Sequence, residues 1–144
     1  MMTRGQKIAF RIIFFLYVAG VLIMCFGRFE NAPSVEFSLF GIPTDKLVHF
    51  MMFFPFPILA FLAFDQFTET VKSTLLFTGA TFIVGLLLAV GTEWGQACLT
   101  EYRSGEPLDF LADSLALLLS SILVAVVDIR KQRRPTAPCP ASRK

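Results

Sequence analysis

The sequence predicts an all-α polytopic membrane protein, a helical bundle of four transmembrane helices with N- and C-termini cytoplasmic. Three observations lead there. Four apolar stretches each approach the length of a bilayer crossing. The composition is 55% hydrophobic and 17% charged, against about 25% charged for a typical soluble domain. The 13 Lys and Arg residues fall unevenly on the two sides that such a threading creates. The mean hydropathy is +0.66, and 17 phenylalanines accompany one tryptophan and two tyrosines. One domain accounts for this length, and no internal repeat is visible.

Arg4, Lys7 and Arg11 open the chain without an acid among them. The first span, Ile8 to Phe26, covers about 28 Å at ~1.5 Å per residue, close to the roughly 30 Å hydrocarbon slab. Arg11 lies within a turn of its start and can snorkel to the interface. A secretory signal peptide shares this basic start and apolar core. Glu30 and Pro33 flank the small-residue candidate Ala32, a poor cleavage site. The residues before Cys25, Leu22-Ile23-Met24, lack the small side chain of a lipoprotein signal. The span is therefore expected to stay.

Gly27 to Thr44 is a loop punctuated by Pro33, Gly41 and Pro43. Thr44 or Asp45 caps the second span, Asp45 to Phe64. Pro55 and Pro57 each lack a donor and free a carbonyl one turn earlier, so this helix should kink near Met51 to Phe53. Asp65 to Ser73 is a short polar loop. The third span, Thr74 to Cys98, is apolar to Gly91 and then carries Glu93 and Gln96. Gly91 and Gly95 are four apart, a spacing that suits close backbone approach.

Leu99 to Pro107 is a loop with Glu101, Arg103 and Glu106. The fourth span, Leu108 to Val127, bears a small-residue stripe at Ala112, Ala116 and Ser120. Residues 1–128 make one membrane domain. Residues 129–144 make a basic cytoplasmic tail without a stable fold. Its charge reads as a topology anchor that also meets anionic headgroups, not as a nucleic-acid patch.

With four spans the termini and the loop between spans two and three share one side, which holds ten of the Lys and Arg residues; the other side holds Arg28, Lys46 and Arg103. The basic side is cytoplasmic. Polar residues then collect at the extracytoplasmic end. Asp45, Lys46 and His49 open the second span, Glu93 and Gln96 close the third, Arg103 lies in a loop on that side, and Asp109 and Asp113 open the fourth. Within each span the members are three or four apart and share a face. Asp45 and Asp109 suit helix capping and the helix dipole equally well. His49, Glu93 and Asp113 lie inside apolar spans, where ionisable groups pair with one another or face a wet cavity.

Asp45-Lys46-x-x-His49-Phe50, then Glu93-x-x-Gln96, then Arg103 followed by Asp109, resembles the VanZ-like family of small membrane proteins. The similarity covers about Asp45 to Val126. The resemblance implies a multi-pass protein of the bacterial inner membrane. In some members it implies low-level resistance to teicoplanin-type glycopeptide antibiotics. It places the family's polar signature on Asp45, Lys46, His49, Glu93, Gln96, Arg103 and Asp109. The chain departs from the pattern with Asp113 where the family usually has Asn, and with Ala116 and Ser120 in place of glycines.

Three chemistries fit these residues. In the first, the protein acts on or binds an envelope molecule, such as a lipid headgroup or a lipid-linked cell-wall precursor. His49 is the acid or base, Asp45 orients it, and Glu93 shares the proton work. Lys46 and Arg103 hold phosphate or carboxylate, and Gln96, Asp109 and Asp113 complete the binding set. No nucleophile motif or cofactor motif accompanies them. A metal at His49, Glu93 and Asp113 is weighed and set aside, because the chain has one histidine. In the second, the protein is non-enzymatic and the charges fix helix packing. The third, a transporter or proton relay, is disfavoured because no charge is expected at mid-depth on the cytoplasmic half. Cys25 and Cys98 share one end of the bundle, and apolar packing is expected over a disulfide.

Overall fold

A computed structural model of the chain describes residues 3–27, 38–39, 42–99 and 106–133. The elements run α1 (Arg4–Phe26), β1 (Ser38–Leu39), β2 (Ile42–Pro43), α2 (Thr44–Phe53), α3 (Pro55–Phe64), α4 (Val71–Leu99) and α5 (Pro107–Gln132). A 3-10 turn at Asp65–Phe67 follows α3. The strands form a two-residue antiparallel ladder leading into α2. Four helical units are long and apolar enough to cross a membrane: α1, α2 with α3 and the following turn, α4, and α5. The protein is an all-α, multi-pass membrane bundle, as the composition predicts.

Helix ends differ from the sequence reading where polar side chains extend them. Thr3 and Gln6 form a reciprocal capping box, so α1 starts at Arg4 and not Ile8. Thr70 and Ser73 exchange backbone-to-hydroxyl bonds of 2.9 and 3.1 Å, which starts α4 at Val71. Pro107 occupies the first turn of α5, where a missing N–H costs nothing. At its other end α5 continues to Gln132, into what the charge pattern assigns to the tail. The expected proline kink is a break at Phe54, between α2 and α3, one residue past the predicted stretch. Tyr17 of α1 donates its hydroxyl to the Met52 carbonyl beside it.

α5 packs on α4, α2 and α3, while α1 lies mainly against α3. The core between them contains Val21, Cys25, Phe53, Phe56, Ala89, Ala116 and Leu117. Ala116 and Ser120 of the small-residue stripe are fully buried. Of the predicted glycine pair, Gly95 is a close approach and Gly91 is not. A methyl group on Gly95 would stand 2.7 Å from the Phe26 ring, whereas nothing lies within 4 Å of one on Gly91. Tighter still is Gly85, which the sequence does not single out: a methyl there would lie 2.6 Å from a Leu117 methyl. Leu76, Ile83, Leu87, Leu111 and Leu115 face outward in a broad apolar band, as suits lipid contact.

Two contacts fix α1 against the end of α3. Lys7 pairs with Asp65 at 2.8 Å. Arg11 also meets this end of α3: its Nε donates to the Ala63 carbonyl at 3.2 Å, and its guanidinium lies 5.6 Å from the Phe64 ring centre. Cys25 is buried and Cys98 exposed, and no disulfide joins them.

Candidate functional site

Each helix that contributes to the polar end does so for a local reason. Asp45 stands in the first turn of α2, with Lys46 and His49 following within one turn. Asp45 and His49 are four apart and so share one face of α2. Glu93 and Gln96 lie in the last two turns of α4, and Asp109 and Asp113 in the first two turns of α5. Because α4 and α5 are antiparallel neighbours, these turns sit side by side.

His49 is at the centre and is 3% exposed. Its Nδ1 lies 3.3 Å from Asp113 Oδ1, 3.5 Å from Asp113 Oδ2 and 3.7 Å from Glu93 Oε1. On the opposite ring edge, Nε2 stands 3.8 Å from Asp109 Oδ2. Three carboxylates from two helices therefore surround one imidazole. Asp113 is fully buried, and Asp109 and Glu93 are nearly so.

Asp45 takes a more peripheral place than the sequence suggests. One of its oxygens, an oxygen of Asp109 and a ring nitrogen of His49 lie within 4.8 Å of one another. Its side chain is nevertheless half exposed, and its Oδ2 is 3.8 Å from Lys46 Nζ. Lys46 is committed to carboxylates: Nζ is 2.5 Å from Asp109 Oδ1 and 2.6 Å from Glu106 Oε2.

Glu106 is the residue that sequence reasoning missed as part of this cluster. It stands at the N-cap position of α5, its side chain meets Lys46, and its backbone N–H donates to Glu93 Oε2 at 3.0 Å. A Glu directly before Pro107 at a helix start was the available signal. Gln96 is buried and donates its side-chain amide to the Cys25 carbonyl at 2.9 Å, tying α4 to the end of α1. Arg103 lies outside the described residues.

Two carboxylate oxygens in the cluster, Glu93 Oε1 and Asp113 Oδ1, are buried and accept no hydrogen bond. Among the described residues, two donor sets have metal-ligating spacing: Asp45, His49 and Asp109, and His49, Glu93 and Asp113. The arrangement can exchange a proton at His49, bind donors on its carboxylates, or hold a cation.

The opposite end of the bundle has a second buried polar group, at a residue just past the fourth span as the sequence bounds it. Asp128 is 5% exposed. It accepts from the Thr74 hydroxyl at 2.7 Å and the Gln132 amide at 2.9 Å. It borders a cavity of about 600 Å³ lined also by Gln6, Asp65, Lys131 and Gln132. The packed core around Phe53, Phe56 and Leu117 separates the two ends.

No family model, no curated protein and no solved structure matches this chain.

Proposed function

We propose that this is a VanZ-like protein of a bacterial inner membrane, which binds or acts on an envelope molecule at the extracytoplasmic end of its bundle. The molecule is a lipid headgroup or a lipid-linked cell-wall precursor. The observation that carries the reading is the convergence of His49 with Glu93, Asp109 and Asp113 from three separate helices. An ionised side chain at the centre of a span costs roughly 2.5–3.5 kcal/mol on insertion scales, and part of that near an end. Such clusters mark functional sites by default. Exposed Trp94, beside Glu93 on α4, suits the headgroup level.

His49 serves as the proton donor or acceptor. Asp109 faces its Nε2 and orients the ring, a role the sequence reading gave to Asp45; Asp45 lies at the rim. Since Lys46 is occupied by Asp109 and Glu106, the carboxylates favour hydroxyl and amine groups of the ligand as partners.

Expression of the wild-type chain in a susceptible bacterium tests the reading through teicoplanin susceptibility and envelope integrity. His49→Gln and Glu93→Gln are expected to return both to the level of cells lacking the protein, with membrane abundance unchanged. Full function in His49→Gln overturns the reading.

A second reading is non-enzymatic, and the Lys46–Asp109–Glu106–Glu93 chain of contacts favours it because it links α2, α4 and α5. Under it the same substitutions lower abundance and function together.

A further inference from the structure

We propose that His49 Nδ1, Glu93 Oε1 and Asp113 Oδ1 bind one divalent transition-metal cation of the zinc or manganese class. The three atoms come from α2, α4 and α5 and lie within 4.8 Å of one another. Nδ1 stands 3.3 Å from the Asp113 oxygen and 3.7 Å from the Glu93 oxygen. Atoms bonded to one ion at ~2.0–2.2 Å are themselves roughly 3–4 Å apart, so the donor set needs little movement to close on it.

The second observation is independent of spacing. Both carboxylate oxygens are buried without a hydrogen-bond donor, and Asp113 has no exposed surface. Buried polar atoms ordinarily find a partner, and those that do not point to something that completes them. Charge says what that is. A neutral imidazole with two carboxylates holds two negative charges. A proton on His49 would cancel one, whereas a divalent cation cancels both. Lys46 does not fill the gap, since its ammonium lies against Asp109 and Glu106.

The surroundings are those of a ligand shell. Asp109 stands 3.8 Å from the other ring nitrogen of His49, placed to orient a ligating imidazole. Glu93 Oε2 is held by the Glu106 N–H at 3.0 Å, which leaves Oε1 turned to the ion. Such outer partners fix ligand geometry. One imidazole with two carboxylates and no thiolate suits zinc or manganese over soft ions. Three protein ligands leave a position open. That position gives an anionic headgroup a way to bind among carboxylates, a consequence that rests on the reading above with the imidazole holding the ion instead of exchanging a proton; the presence of the ion does not rest on that reading.

The full chain, purified in detergent without a histidine tag and stripped with a chelator, is dialysed against Zn2+ or Mn2+. Saturable uptake of about one ion per chain is expected, at least tenfold weaker in His49→Gln and Asp113→Asn and unchanged in Glu69→Gln at the far end. Pulsed electron paramagnetic resonance of the Mn2+-loaded wild-type chain should show one directly bound nitrogen, a readout that needs no variant. Absence of saturable uptake by helical wild-type protein overturns the proposal, as does a bound Mn2+ without nitrogen coupling. If no ion binds while His49→Gln still loses envelope function, the cation is wrong and the site stands. If the ion binds while His49→Gln keeps function, the cation is right and the functional reading fails.

Discussion

At Gly85 a single methyl group decides how closely α4 can approach α5. The added carbon would lie 2.6 and 3.0 Å from the two Leu117 methyls and 3.3 Å from the Phe56 ring. Leu117 is fully buried and has little room to yield. Gly85→Ala should therefore cost about 1–3 kcal/mol, the usual penalty for overpacking. Gly91→Ala meets nothing within 4 Å and should be neutral or gain up to ~1 kcal/mol from helix propensity. Unfolding of both variants in detergent micelles, followed by helicity, checks the contrast. Legibility at this scale follows cost. His49, Glu93 and Asp113 could be picked out because a titratable group inside an apolar span is expensive and rarely accidental. The carboxylate facing each edge of the ring could not be read, because it depends on how α5 is rotated against α2. Asp45 has the right spacing on its own helix yet is half exposed, while Asp109, 64 residues further on, occupies the place beside Nε2. Gly85 was invisible for the same reason, since nothing local distinguishes it from Gly91.

At the scale of the helix, apolar runs place the spans and distant polar contacts place their ends. The bodies of all four spans were readable, because about 20 apolar residues in succession have no other stable home. The end of α5 was not. Its last turns carry Asp128, Arg130, Lys131 and Gln132 and look like solvated tail. They stay helical because Gln132 reaches back one turn to Asp128 and across to the Thr74 hydroxyl at 2.8 Å and the Thr68 carbonyl at 3.0 Å. Thr74 and Thr68 lie 58 and 64 residues away in sequence. Asp128→Ala removes the charged acceptor shared by Thr74 and Gln132, whose donors then fall back on the Thr70 and Thr68 carbonyls. A loss of about 1–3 kcal/mol is expected, with faster hydrogen exchange of the backbone amides from Asp128 to Gln132. Asp128→Asn keeps an acceptor oxygen and should lose less. A slow-exchanging α5 terminus in Asp128→Ala would show that the helix end is held by its own propensity. The break at Phe54 was nearly legible for a simpler reason: Pro55 and Pro57 act on the helix that contains them.

At the scale of the whole molecule, the two polar ends and the apolar middle set a length. From Thr74, beside Asp128, to Glu93 is 19 residues of continuous α4, about 28 Å at ~1.5 Å per residue. That matches the roughly 30 Å hydrocarbon thickness. The His49 cluster and the Asp128 cluster thus fall near opposite interfaces, with Phe53, Phe56, Ala89 and Leu117 packed between them. Such a filled middle favours a protein that works at one face over one that passes a solute through. The proposed orientation rests on the charge imbalance, with ten basic residues on the side of the termini against three on the other. Cysteine placement gives a direct test of that orientation. Cys98 is exposed at the His49 end of α4, Cys25 is buried in the core, and Cys139 belongs to the basic C-terminal segment. A membrane-impermeant maleimide applied to intact spheroplasts should label Cys98 and lose that signal in Cys98→Ser. Cys139 should react only after permeabilisation, and Cys25 only after unfolding. The reverse order of Cys98 and Cys139 would turn the His49 cluster toward the cytoplasm. An extracytoplasmic lipid-linked ligand would then be out of reach, while the geometry that assembles the cation site would be untouched.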